Sequence, residues 1–329
     1  MSNTVITGAA GFLGGLALVA DPNVRLILAD IFEPKSPKSS TAITVKVDLT
    51  AKEAVDGLFK SEFGVLDTIY CLQGILSRGS EDNFDLGLKV NFDSICLTLQ
   101  AAHEFGAQSA ARIKFIFASS LAVPHIVTPD TIAAPEGAYG MGKLTSELFV
   151  SEFSRRGFVD GRILHLPTVT VRHGAPAAAT SAAFISGIIR EPLKDIESLC
   201  PIGDSVESPA LELPLWLASP QTTIKNFIIV RHIPADKFLL HTRAVCLPGF
   251  TATVREELDA LEKVGGKKAL KLVKFTDDPV NRRLVSSWPA RFDNTYPLSL
   301  GFIVDEGGME PIVRQFQKDI ELRSRDALF

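Results

Sequence analysis

Cysteine is scarce in this 329-residue chain, which has four, at positions 71, 96, 200 and 246. None falls in a C-x-x-C pair, so neither a disulfide framework nor a zinc site is predicted, and a reducing compartment fits. Long apolar runs are missing too: none approaches the roughly 20 residues needed to span a bilayer. Residues 1–3 lead straight into a short strand rather than into the basic and apolar regions of a leader, so a cytoplasmic location is expected. There is no excess charge of one sign. With 34 basic and 38 acidic side chains and a net charge of −4, the chain lacks the clustered cations of a nucleic-acid or membrane-surface binder. Repeats are absent, and only the Lys/Ser/Pro loop at 34–40 is low in complexity.

Hydrophobic residues make up 46% and charged ones 22%, enough to fill a sizeable core in one large or two ordinary domains. Short β-rich runs at 4–6, 24–29, 44–47, 68–72, 114–118 and 162–166 alternate with longer helical stretches. Parallel strands need such crossovers, and several of the runs are apolar almost throughout, so helices should cover both faces of the sheet. The predicted class is α/β, a Rossmann-type doubly wound parallel sheet. After Pro167 the rhythm changes. Residues 168–172 alternate, with Thr168, Thr170 and Arg172 on one side. A loop at 174–180 then precedes a helix carrying Phe184, Ile185, Ile188 and Ile189 on one face and ending before Pro192. An amphipathic stretch at 254–264 stops at Gly265-Gly266. We expect a nucleotide domain at 1–170, to which a segment near 211–232 returns, and a smaller α+β substrate domain at 171–329.

Directly after the first strand, Gly8-Ala9-Ala10-Gly11-Phe12-Leu13-Gly14 forms a G-x-x-G-x-x-G run. Glycines there permit a tight turn and let a pyrophosphate approach backbone N–H groups. The second strand ends in Asp30, about 20 residues on, where a carboxylate accepts bonds from the adenosine ribose and repels a 2′-phosphate. NAD is therefore predicted over NADP. Asp48, before Leu49, either bonds the adenine amino group or caps the helix after Thr50.

Tyr139-Gly140-Met141-Gly142-Lys143 is Tyr-x-x-x-Lys, which puts both functional groups on one helix face. A neighbouring ammonium would lower the phenol's pKa and make it a usable proton acceptor. The fifth strand ends in Ala118-Ser119-Ser120, at the sheet's carboxyl edge where such folds bind ligands, so Ser120 can hold a substrate oxygen beside Tyr139. Ser77, His125, Arg172 and Arg190 are candidate substrate contacts, the arginines as carboxylate clamps. Against these stand blander readings: Ser77 as a turn residue, His125 as a loop histidine, Arg190 paired with Glu191. Cys71 and Cys96 read as core thiols, and Trp288 and Phe292 as packing anchors. No metal site is predicted.

Glycine run, strand-end acid, serine and Tyr-x-x-x-Lys in this order resemble the extended short-chain dehydrogenase/reductase superfamily, in its nucleotide-sugar epimerase-like branch. The resemblance runs nearly end to end and is closest to the D-erythronate dehydrogenases. It is carried by residues 83–87 with Val90-Asn91, by 157–162, 166–169 and 186–192, and by Trp288-Pro289-x-x-Phe292-Asp293 with Leu300-Gly301-Phe302. It implies that Ser120, Tyr139 and Lys143 are catalytic and that Asn91 sits beside the cofactor. It also implies that Pro167 and Thr168 flank the nicotinamide, with Phe12, Leu13, Leu49, Leu72, Gly74 and Ala118 along NAD. The usual His-Leu-Ala-Ala after the fourth strand is here Cys71-Leu72-Gln73-Gly74, which would bring Gln73 next to NAD. The connection from Ser120 to Tyr139 is shorter than in the bacterial members, and Pro124-His125 and His173 depart from the pattern.

The implied activity is NAD-dependent oxidation of a secondary alcohol on a small polyhydroxy acid such as D-erythronate, by a homodimer packed through helices at 91–105 and 139–153. A sugar epimerase using bound NAD and a non-catalytic NAD-binding scaffold are the alternatives. A dehydratase is disfavoured, because Ser120-Leu121-Ala122-Val123 lacks the carboxylates of Ser-x-Asp-Glu.

Overall fold

The computed structural model describes residues 2–14, 24–36, 42–59, 64–109, 112–120, 135, 137–173 and 183–326. Each of the six β-rich runs is a strand: β1 (Ser2–Thr7), β2 (Val24–Asp30), β3 (Ile43–Lys46), β4 (Leu66–Cys71), β5 (Lys114–Ser120) and β6 (Asp160–Leu166). Between β3 and β4 lies α1 (Lys52–Leu58); α2 (Ser77–Asp82) and α3 (Phe84–Leu88) follow β4. A π-helical turn, Lys89–Asp93, then leads into α4 (Ser94–Ser109), and α5 (Ala138–Arg155) stands between β5 and β6. Beyond β6 come β7 (Thr168–Val169), α6 (Ala183–Arg190), β8 (Ser198–Cys200), β9 (Pro214–Ala218) and α7 (Pro220–His232). The chain continues through β10 (Ala244–Cys246), β11 (Phe250–Thr253), α8 (Val254–Leu270), β12 (Val273–Phe275), α9 (Pro279–Ser286), α10 (Thr295–Ser299) and α11 (Met309–Asp326).

Strands β3, β2, β1, β4, β5, β6 and β10 lie side by side in that order, every pairing parallel. Period-two alternation explains why both faces are apolar. Val5, Ile69, Phe115, Phe117 and Ile163 pack with α4 and α5 on one side. Ile6, Tyr70, Ile116 and Leu164 pack on the other, against Phe227 and Val230 of α7. Residues beyond 170 thus return to the large sheet twice. Helix α7 comes from the segment expected to return, but its neighbour β9 instead joins a small sheet with β7 and β11, and the seventh strand is β10. A third core holds Ile185 and Ile188 of α6, Leu215 and Leu217 of β9, Leu258 of α8 and Phe316 of α11.

Two local expectations change. The strand read at 168–172 stops at Val169; the Thr170 N–H still donates to the Ala218 carbonyl of β9 at 3.0 Å, while its hydroxyl donates to the Ile185 carbonyl at 3.3 Å. Helix α8 breaks at Gly266, whose φ of 72° and ψ of 176° are non-helical, yet helical residues resume to Leu270. Among the described residues no helix is long and apolar enough to cross a membrane.

Candidate active site

The turn after β1 has no space for side chains. Gly8 has a φ of +68°, and a Cβ there would lie 2.7 Å from the Gln73 nitrogen at the end of β4. A Cβ on Gly14 would lie 2.4 Å from the Ala9 Cα. Backbone therefore forms the cleft wall, as a pyrophosphate site requires. Asp30, at the end of β2, accepts from the Ala10 N–H at 3.0 Å and from the Phe32 N–H at 3.1 Å, which fixes its carboxylate beside the glycine turn.

The cleft continues along Phe12, Leu13, Leu72 and Gly74 to Ala118, Ser120, Tyr139 and Lys143. Helix α5 carries the last two. Its N-cap residue, Gly137, offers no side chain, so the Ala138 N–H instead donates to Glu81 of α2 at 2.7 Å. That bond satisfies one orphan donor of the helix and ties the Tyr139 turn to α2. Ser120 hydrogen-bonds Tyr139, which pulls the phenol's pKa down, but burial is the larger effect and pushes it above its usual value. The lowering by Lys143 read from the spacing is not what this geometry gives. The Lys143 Nζ lies 5.9 Å from the Tyr139 ring centroid and donates to the Ala118 carbonyl at 3.0 Å. Burial brings its own pKa down to about 8, opposed by the neighbouring Cys71 thiol and the Glu147 carboxylate.

Pro167, Thr168 and Val169 line the cleft across from the glycines, and Ser77, the first residue of α2, lines it near Gly74. Arg172 lines it as well. Its N–H donates to the Ser186 Oγ at 3.2 Å and its carbonyl accepts from Arg190 at 3.0 Å, so its backbone is held on both sides. No carboxylate among the described residues pairs with the Arg172 guanidinium, whose pKa is lowered by burial and by Arg190. Pro214, Trp216, Trp288 and Pro289 close the far wall. The tilted contact of Trp216 with Phe292, ring centroids 5.1 Å apart, supports that wall, and Trp288 is cleft surface as well as an anchor.

Other expected contacts stand elsewhere. Arg190 does not line the cleft; it is buried and bonded to Glu191 at 2.6 Å. The Gln73 side chain turns away from the cleft, bonding Thr7 and Cys71 and donating to Ser94 and Thr98 at 3.4 Å each. Only its backbone meets the site. Asn91 is buried in the π-helical turn, where its amide holds both the N–H (3.0 Å) and the carbonyl (2.9 Å) of Ile75 beside Gly74. Asp48 accepts from the N–H and hydroxyl of Thr50, and the residue that precedes α1 is Ala51, so Asp48 is not its cap. Leu49 is core. Cys71 is buried, its thiol pushed up to about 12 by desolvation; Cys96 is only half-buried, and its thiol is pushed up to about 11. His125 lies outside the described residues. Among the described residues no group of three or more His, Cys, Asp or Glu could hold a metal ion.

Sequence reasoning missed Glu81, Trp216 and a buried carboxylate, Glu147, one turn beyond Lys143. The spacing from Tyr139 through Lys143 to Glu147, four and four, was the available signal for the last. The residues present fit a dinucleotide: a glycine cradle that a Cβ would fill, an acid fixed beside it, and a buried lysine at the far end.

The sequence pattern of the NAD dependent epimerase/dehydratase family matches residues 4–204. A D-erythronate dehydrogenase of Haemophilus influenzae is 36% identical over 324 residues, covering 95% of this chain and 98% of its own. Another, from Cupriavidus necator, is 34% identical over 338 residues, covering 97% and 99%. The crystal structure of a nucleoside-diphosphate-sugar epimerase from Agrobacterium tumefaciens superimposes with a TM-score of 0.85 at 30% identity, over 95% of this chain and 92% of that one.

Proposed function

The chain belongs to the NAD dependent epimerase/dehydratase family, and from that premise we propose that it oxidises a secondary alcohol of a small polyhydroxy acid such as D-erythronate. It is an NAD-dependent dehydrogenase, and NAD is its cofactor. The single observation that carries the substrate class is Arg172: a guanidinium without a carboxylate partner among the described residues, in the same cleft as Ser120 and Tyr139. A cation held in a partly buried wall favours an anionic substrate group, and a carboxylate matches its planar fork. The D-erythronate dehydrogenase relatives agree with that class.

In this reading the seven-stranded layer holds the nucleotide. Residues beyond 170, chiefly Arg172, Pro214, Trp216 and Trp288, enclose the substrate. Gly8, Gly11 and Gly14 admit the pyrophosphate, and Asp30 takes the ribose hydroxyls of adenosine. Lys143 bonds the other ribose, and Pro167 and Thr168 flank the nicotinamide. Bound NAD supplies the hydride acceptor. Ser120 donates to the substrate oxygen and aligns it with the Tyr139 Oη, which takes the alcohol proton in its phenolate form, the form that the positive charge of bound NAD would favour against burial; Arg172 fixes the distal carboxylate so that one carbon faces the cofactor. The deciding experiment is a screen of sugar acids for NADH formation, run beside Tyr139→Phe. That variant keeps the ring, so NAD binding should persist while turnover falls by about 10²–10⁴, the usual worth of a positioned base. Unchanged turnover of the preferred acid would remove Tyr139 from the chemistry.

A second copy of the chain completes the proposal. Of the two helices expected at the interface, α5 exposes Leu148 and Phe149 by 64% and 40%, whereas Ile95 and Leu99 of α4 are buried in the core; Phe84 and Leu86 of α3 are exposed by 53% and 46%. Symmetric dimers are the commonest use of such a face. Sedimentation at micromolar concentration should give twice the chain mass of 35.6 kDa.

A further inference from the structure

Beneath Lys143, three strands place polar side chains in one row. In the parallel register Cys246 of β10 lies beside His165 of β6, and His165 beside Ser119 of β5. Residues two earlier on each strand, Ala244, Ile163 and Phe117, belong to the core under α4 and α5, so the row sits on the α5 side of the sheet. Glu147 of α5 meets it there. Its Oε1 accepts from the Ser119 hydroxyl and lies 3.0 Å from the His165 Nε2, while the Cys246 Sγ lies 3.4 Å from His165 Nδ1. Glu147 and His165 are both largely buried. Nothing in the mechanism above uses them, yet Glu147 is one helical turn from Lys143.

We propose that Glu147 and His165 are positioning residues for Lys143: the Glu147 carboxylate is the counter-charge that keeps the buried ammonium charged for the ribose, and His165 draws on the same carboxylate and so limits that support. The groups that face Lys143 fit this division. Tyr139 and Glu147 come from its own helix, the Cys71 thiol from β4, and the Ala118 and Gln73 carbonyls accept from it at 3.0 and 3.5 Å. Of these only Glu147 is ordinarily an anion at neutral pH. The groups facing His165 are Glu147, Ser119 and Cys246. Desolvation is the largest single influence and pulls the imidazole down, but the Glu147 carboxylate and the Cys246 thiol together outweigh it and hold the ring well above its usual value, so His165 enters the site as a second cation. One carboxylate therefore serves two buried cations. Removing it discharges Lys143 at lower pH; removing the imidazole leaves it all to Lys143.

This inference rests on the assignment of Lys143 to the ribose, and its test reads NAD binding rather than turnover. NAD is titrated calorimetrically from neutral to alkaline pH. In the wild type, affinity should weaken as pH rises through about 8, where Lys143 loses its proton. Glu147→Gln should move that midpoint down by about one pH unit, the low end of what a close opposite charge supplies, and His165→Asn should move it up. A purely structural pair would give losses of the same sign at all pH values. Midpoints that stay at the wild-type value, or move together, overturn the inference and leave the dehydrogenase reading standing. A wild-type affinity flat across that range instead removes Lys143 from the ribose. Should Glu147→Gln fail to fold, His165→Asn carries the comparison. Should both fail, the His165 ring, followed by NMR, must titrate at higher pH in Lys143→Met than in wild type, and an unmoved ring overturns the coupling.

Discussion

Arg172→Met separates recognition of the acid from the chemistry. The substitution keeps an unbranched stem against the cleft wall, and the backbone bonds to Ser186 and Arg190 do not depend on the side chain. What disappears is a guanidinium crowded by burial and by Arg190, with no carboxylate beside it among the described residues. A bound carboxylate would accept two parallel bonds from it, each worth about 1.5–3 kcal/mol when a partner is charged. Part of that is returned, because water can enter a half-open wall and solvate both variant and substrate. A net loss of about 3 kcal/mol is expected, which at about 1.4 kcal/mol per decade is on the order of 10²-fold in kcat/KM for D-erythronate. Erythritol, the same carbon skeleton with a hydroxymethyl in place of the carboxylate, is the control, and its turnover should change little. Arg172→Lys, which keeps the charge but not the fork, should lie between. NAD affinity should be that of the wild type. If both substrates lose equally, Arg172 holds the cleft or the nucleotide instead; if D-erythronate loses nothing, the clamp is wrong and the substrate need not be an acid.

Asp30→Ala should weaken NAD about tenfold, the worth of a charged hydrogen bond or two, and narrow the preference over NADP in paired titrations; equal wild-type affinities for the two cofactors would contradict the assignment. Glu257, wholly buried in the C-terminal core with neither carboxyl oxygen hydrogen-bonded among the described residues, has its carboxyl pushed well above the usual range by desolvation. The native state then binds this proton more tightly than the unfolded chain, so its stabilising effect is full below the ordinary carboxyl pKa and is lost as pH rises from there to the native value. Glu257→Gln, uncharged at every pH, should match wild type in Tm in acid and exceed it increasingly toward neutral pH, by up to about 1.4 kcal/mol per pH unit. A Tm difference that does not vary with pH would show that the carboxyl already finds its charge compensated.

The large sheet was legible because its strands are apolar on both faces, a pattern that few other arrangements tolerate. Where burial is one-sided or the element is short, the signal fails. Strand β10 has three residues, Ala244–Cys246, and nothing in so short a run says that it closes the edge of a sheet begun some 240 residues earlier. At 168–172 the alternation was real, but the paired strand is only Thr168–Val169, and the Thr170 hydroxyl bonds the Ile185 carbonyl of α6. Some segments that carried the family resemblance also have plain packing reasons. Gly161 leaves no room for a Cβ, which would lie 2.8 Å from Val150 of α5, and Arg162 pairs with Asp160 at 2.7 Å while donating to the Val230 carbonyl of α7. These residues lock β6 between two helices; they do not line the cleft.

In the site, spacing located what lies along one element and was blind to what meets across elements. Gln73 shows how far the first kind of reasoning reaches. Cys71 faces the α4 side of the sheet, and a residue two positions on shares that face by simple alternation, so the bonds from Gln73 to Ser94 and Thr98 of α4 follow from the sequence once Cys71 is placed. Reading Gln73 as a cofactor contact set that parity aside in favour of its neighbourhood. Glu147 likewise follows from Tyr139 by two helical turns. Its partner does not: His165 reaches Glu147 only because β6 lies beside β5 with Ser119 opposite His165, a register set by crossovers and not by any local pattern. A slip of one residue would put Leu166 under Glu147 and leave a buried carboxylate facing hydrocarbon. The register is therefore held in part by this polar contact, so Glu147→Gln should cost some stability as well as shifting the alkaline NAD-binding midpoint. The first is read from Tm and the second from NAD titrations, so the two can be measured apart.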